Sequence, residues 1–189
     1  MLKKILTVIG VALIGLVTFI ATRPSSYHVE RSIVVKAPAA TVFAAVSDLR
    51  RFSEWSPWEK RDPNMKKTLT EATSGVGASY AWQGNKEVGT GKMTITESQA
   101  PSFVRERLEF FEPFASVANV GFDILPAGPG EVKTTWSMDG HNNFVGKAMS
   151  LVMNMDKMIG KDFDAGLGSL KRVAEATPAA TPATAAAKP

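Results

Sequence analysis

The sequence predicts an α+β domain behind an N-terminal transmembrane helix. A curved antiparallel sheet of about seven strands should be covered by one long C-terminal helix, with two short helices after the first strand. Three observations carry this expectation. The apolar period runs from two to 3.6, back to two, and finally to 3.6 again along the chain. Turn residues separate the later period-two segments at short intervals. Residues Ile5 to Ala21 are 17 uncharged, mostly apolar residues.

That apolar run follows Lys3 and Lys4 and would be about 25 Å long as a helix, near the lower limit for crossing a hydrocarbon core. A cleaved signal peptide is the competing reading. Cleavage wants small residues at A-x-A spacing, whereas Phe19-Ile20-Ala21-Thr22 precedes Arg23-Pro24, which favours a retained anchor. Two lysines and the terminal amine against Arg23 orient the N-terminus to the cytoplasm. The domain is then expected on the outer, periplasmic side of the inner membrane, with cleavage and secretion as the alternative. The expected organisation is an anchor and linker over 1–26, a ligand-binding domain over 27–175, and a disordered Ala/Pro/Thr tail over 176–189.

Val29 to Val35 reads as a strand. Ala37-Pro38 opens a helix with Val42, Phe43, Val46 and Leu49 on its inner stripe, and Arg50 to Trp58 is a second short helix or turn. Strands are expected at Lys66 to Glu71, Val76 to Gln83, Val88 to Glu97, Phe103 to Glu112, Ser116 to Leu125 and Val132 to Asp139. Their short connections permit hairpins, so the sheet should be a meander. Phe144 to Ala174 then returns to helical spacing as one helix of about 46 Å.

Charge and composition exclude several functions. The net charge is +4, but Lys3, Lys4 and Arg23 flank the apolar run and Lys188 lies in the tail. Removing those four from the 22 Lys and Arg leaves 18, against 18 Asp and Glu, so the folded part is neutral and carries no basic stripe for nucleic acid. With no cysteine and only His28 and His141, no zinc-ligand spacing exists, and no other metal or cofactor is called for. Neither Gly75-Val76-Gly77 nor Gly89-Thr90-Gly91 precedes a helix, so neither is a phosphate loop. Ser137, Asp139 and His141 share one strand face at a spacing of about 6.6 Å, too far apart for a nucleophile triad.

Alternation places Val76, Ala78, Tyr80, Trp82, Met93, Ile95, Val104, Glu106, Leu108 and Phe110 on the inner face. The same rule adds Ala118, Val120, Phe122, Ile124, Val132, Thr134, Trp136 and Met138. Glu106 stands out because its neighbours two away are apolar. It is the candidate site residue, either as a functional acid or as a structural one that pairs with Arg31 or turns to solvent. Met149, Met153, Met155 and Met158 cluster on the last helix and either line a pocket or fill a core. The rings of Tyr80, Trp82, Phe110, Phe122 and Trp136 carry the same alternatives.

The segments Phe52-Ser53-Glu54-Trp55-Ser56-Pro57-Trp58-Glu59, Gly75-Val76-Gly77-Ala78, Gly89 to Ile95 and Met153 to Met158, with the opening strand and Ala37-Pro38, resemble a known family. Over Tyr27 to Glu175 the chain is similar to the SRPBCC superfamily (START-like), in its polyketide cyclase/dehydrase and lipid transport group. The resemblance implies a helix-grip fold, in which the sheet wraps the C-terminal helix around a deep apolar cavity. The superfamily includes lipid and steroid carriers, aromatic cyclases, hormone receptors and chaperone-partner domains, and its fold alone does not set the chemistry. No catalytic motif of the group transfers residue by residue.

The leading expectation is a membrane-tethered, non-enzymatic domain binding a small hydrophobic or amphipathic, lipid-like ligand. The expected ligand-binding residues are Tyr80, Trp82, Met93, Glu106, Phe110, Trp136 and Met155. One alternative is an enzyme of cyclase, dehydrase or hydrolase type with Glu106 as general acid or base. Another is a protein-interaction module with a filled core that presents Trp55 and Trp58 at its surface. No particular protein partner is indicated.

Overall fold

The computed structural model describes residues 1–151 and 154–177. They form α1 (Leu2–Ala21), β1 (Ser26–Val35), α2 (Ala39–Ser47), a 3₁₀ turn (Leu49–Arg51) and α3 (Phe52–Trp55). Then come β2 (Lys66–Leu69), β3 (Ser79–Gln83), β4 (Thr90–Gln99), β5 (Phe103–Glu112), β6 (Ser116–Gly128), β7 (Glu131–His141), α4 (Phe144–Met149) and α5 (Met155–Ala176). All seven strands join one antiparallel sheet in the order β1-β7-β6-β5-β4-β3-β2. Strands β2 to β7 are the expected meander, and β1 closes the far edge beside β7. The predicted α+β fold, an antiparallel sheet gripping a C-terminal helix, is the fold observed.

Pleating turns one face inward as the alternation predicts. Ala78, Tyr80, Met93, Ile95, Val104, Ala118, Val120, Phe122, Ile124, Val132, Trp136 and Met138 are buried, and so is Glu106. Opposite them, α2 buries Val42, Ala45 and Val46, and α5 buries Phe163, Leu167, Leu170 and Ala174. Trp136 is the hub of this seam. Phe163 stacks on it with centroids 4.1 Å apart, Phe122 lies at 5.1 Å, and Trp55 and Trp58 meet it edge-on at 5.3 and 5.6 Å. The helix comes this close because position 166 is glycine: a Cβ there would sit 2.6 Å from the Trp136 ring.

Several boundaries differ from the sequence expectation for identifiable reasons. The single helix expected over Phe144 to Ala174 is two. Asn143 accepts from the Gly146 N–H and Asn154 from the Lys157 N–H, so each starts its own helix, and Asn154 is extended at φ −87°, ψ 105°. Apolar spacing is blind to such caps. Val76, expected on the inner face, is 69% exposed, because Gly75 and Gly77 at φ 82° and 91° make a turn before β3. Strand β4 likewise starts after Gly89 at φ 66°, and β6 runs past Pro126 to Gly128. The tryptophan surface patch does not exist: Trp55 is buried and donates its indole N–H to the Ala45 carbonyl at 3.0 Å. Of the tail expected from Ala176, residues 178–189 lie outside the described residues.

Helix α1 is 20 residues long and apolar enough to cross a membrane, and Ile20 alone of its residues is buried. The same properties suit a signal sequence. Its C-terminus touches the domain, where the Lys147 ammonium donates to the Ala21 carbonyl at 3.0 Å.

The Trp136 seam generates a stability prediction. Phe163→Ala should destabilise the domain by about 3 to 5 kcal/mol, through lost burial, the cavity left behind and the lost stack. Phe111→Ala, at a ring 53% exposed on the same sheet, should change stability by less than about 0.5 kcal/mol. Urea unfolding of both variants measures the contrast.

Candidate functional site

The sheet and α5 do not fill the space between them along the whole helix. From Phe163 onward the helix packs into the core, whereas its first two turns stand over a cavity of about 380 Å³. All seven residues singled out from the sequence line it: Tyr80, Trp82, Met93, Glu106, Phe110, Trp136 and Met155. The period-two rule aimed the six strand residues, and the helical period aimed Met155.

The other methionines separate. Met158 also lines the cavity, Met149 is exposed away from it, and Met153 lies outside the described residues. Sequence reasoning missed Phe52, Trp58, Met65 and Val88, which close the β3 side. Their segments have no period to read, though the W-S-P-W aromatics were a usable signal. It also missed Arg61 and Asp162, which are ion-paired to each other at the cavity edge.

Glu106 enters the cavity from the middle of β5, where it pairs in register with Ile95 and Val120. The bulge in the β4–β5 ladder falls after Ile95, so it does not turn Glu106 out to solvent. Nor is Arg31 its partner. That guanidinium bonds the Asp156 carboxylate at 2.9 and 3.1 Å and reaches toward Asp164 at 3.6 Å.

Burial alone pushes the Glu106 carboxyl up to about 8, with no partner among the described residues to counter it. At neutral pH the group is therefore mostly a neutral acid, able to donate or to accept a hydrogen bond. Tyr80 is already engaged: its hydroxyl donates to Glu59 at 2.5 Å, and Lys67 bonds Glu59 at 2.6 Å. Burial, reinforced by Glu59, raises the Tyr80 phenol and keeps it protonated. The Trp82 indole is also satisfied, donating to the Val88 carbonyl at 3.0 Å.

The remaining candidates resolve into structural roles. Asp139 bonds His28 at 2.7 Å across the β1–β7 pair, so it is engaged there and does not orient His141. Among the described residues, no three His, Cys, Asp or Glu side chains stand close enough to hold a metal ion.

A curved seven-stranded sheet gripping a helix over an apolar cavity is a ligand-binding architecture. The family described as "Polyketide cyclase / dehydrase and lipid transport" matches residues 26–175, and the chain belongs to it. Solved structures share the fold at low identity. A protein of Chromobacterium violaceum is 14% identical at TM-score 0.56, with 82% of this chain and all of that one covered. The Zhui aromatase/cyclase of a Streptomyces species is 14% identical at TM-score 0.58, covering 79% and 94%. A norcoclaurine synthase point mutant of Thalictrum flavum, in complex with a transition-state analogue, is 10% identical at TM-score 0.57, covering 78% and 95%. None of the curated proteins matches the sequence.

Because the Glu106 carboxyl is raised in the folded state, the native protein holds a proton there that the unfolded chain, near 4.5, has released. Its contribution to stability therefore falls as pH rises from about 4.5 to about 8, by on the order of 5 kcal/mol in total. Glu106→Gln should abolish that component. The stability difference between the variant and the wild type, measured by urea unfolding at pH 5, 6.5 and 8.5, should grow in the variant's favour as pH rises.

Proposed function

We propose that this chain is a membrane-tethered, non-catalytic binding domain whose cavity holds a small hydrophobic or amphipathic molecule. The observation that carries this reading is the cavity itself, about 380 Å³ between the sheet and the first turns of α5, walled by rings, methionines and aliphatic side chains. Apolar walls supply affinity, and one buried acid gives orientation. The α1 helix is the tether in this reading, with the domain on the far side of the inner membrane from the cytoplasm.

Acid–base catalysis is the second reading, favoured by one observation: a carboxyl held near 8 in a mostly apolar cavity suits a general acid. Among the described residues lining the cavity, the other carboxylates are Glu87 and Asp162, and Asp162 is spent on Arg61. Binding needs no second acid and explains the whole lining.

Solvent extraction of full-length protein purified from its own membranes should recover one class of small apolar molecule in near-stoichiometric amount. Leu108→Trp, which projects a ring into the cavity, should reduce that recovery at least about tenfold while the melting temperature stays level or rises. Repeated recovery of an empty wild-type protein that takes up no lipid or aromatic probe contradicts the reading.

A further inference from the structure

The chemistry of the cavity narrows its guest further than apolar shape does. Glu106 is 3% exposed, its carboxyl enters the cavity, and no donor or cation among the described residues meets it. Its neighbours around that space, Met93, Leu108, Val120 and Met138, carry no charge. The single cation in the lining, Arg61, is committed to Asp162. Glu87, exposed on the β3–β4 connection, adds a second carboxylate to the wall. The phenols of Tyr27 and Tyr80 are both raised and stay neutral. Every charge in the lining left without an opposite partner is thus a carboxyl group. Once ionised, the Glu106 carboxylate has nothing to pair it, and a buried unpaired carboxylate is costly, so positive charge brought to this point is favoured.

Resting on the binding-domain reading above, we propose that the guest is an amphipathic amine, whose cationic nitrogen seats against the Glu106 carboxylate and whose apolar body lies among the rings. With Glu106 ionised, anionic amphiphiles such as fatty acids are disfavoured, because their head group would face Glu106 and Glu87 with no free cation to receive it. The rings of Trp82 and Phe110, which also line the cavity, can add cation–π attraction that a neutral head group does not gain. The proton balance is explicit: the ammonium enters with its charge, the Glu106 proton leaves to solvent, and an internal ion pair remains.

Three probes of equal chain length separate the possibilities: octylammonium, octanol and octanoate. Each is titrated against the full-length chain in lipid nanodiscs with empty nanodiscs as reference, read by tryptophan fluorescence and calorimetry. At pH 8.5 octylammonium should bind at least about tenfold more tightly than octanol and about a hundredfold more tightly than octanoate. Its affinity should climb by close to tenfold per pH unit from pH 6 toward 8 and then level off, with one proton released per amine bound at the low end. In Glu106→Gln the preference over octanol should shrink to within about threefold and the pH slope should vanish. Octanol or octanoate binding as tightly as octylammonium, or a preference that survives in Glu106→Gln, overturns this inference and leaves the binding-domain reading standing. Failure of all three probes to bind overturns that reading, and this one with it.

Discussion

The contact on which the architecture depends is the stack of Phe163 on Trp136, with planes 4° from parallel. On one side of it lie Leu167, Leu170 and Ala174, packed with α2 into a filled core. On the other side the first two turns of α5, tied to β1 through the Arg31–Asp156 ion pair, stand over the open space. The rings of Trp55, Trp58 and Phe122 brace the same indole from three directions, so the pillar is stiff where the cavity begins. A helix packed closely over one half can stand over a void along the other, because the filled half supplies the stability that the hollow half gives up.

That division places one polar group where it has the greatest effect. Beyond the pillar the sheet contributes aliphatic and aromatic side chains, and in their midst a carboxyl whose protonation follows its surroundings. In water it would titrate as an ordinary glutamate. Inside this wall burial raises it to about 8, so at neutral pH it stays mostly protonated, and a cation seated beside it would release that proton.

Much of this was legible in the sequence, since alternation is a strict rule within a strand. Six of the seven candidate site residues sit on strands, and period two aims each of them at the same space. The rule failed at Val76, where paired glycines delay the start of β3 past the start of the pattern, and it could not place Phe52 and Trp58, whose rings close the cavity from a segment without any period. The C-terminal helix was misread for a related reason. Apolar spacing continues through residues 150 to 154, while the Asn154 side chain satisfies the first N–H groups of a new helix and starts α5 there. Ion pairing between distant segments, such as Arg31 with Asp156, leaves no trace in local spacing at all.

The most direct test is an experimental structure of the full-length chain purified from cells that express it, without added ligand. Continuous density running from the Glu106 carboxyl toward Met155, matching no side chain, is the predicted outcome. Leu108, Phe110 and Met158 collapsed into that space, with Glu106 packed dry among them, would contradict it.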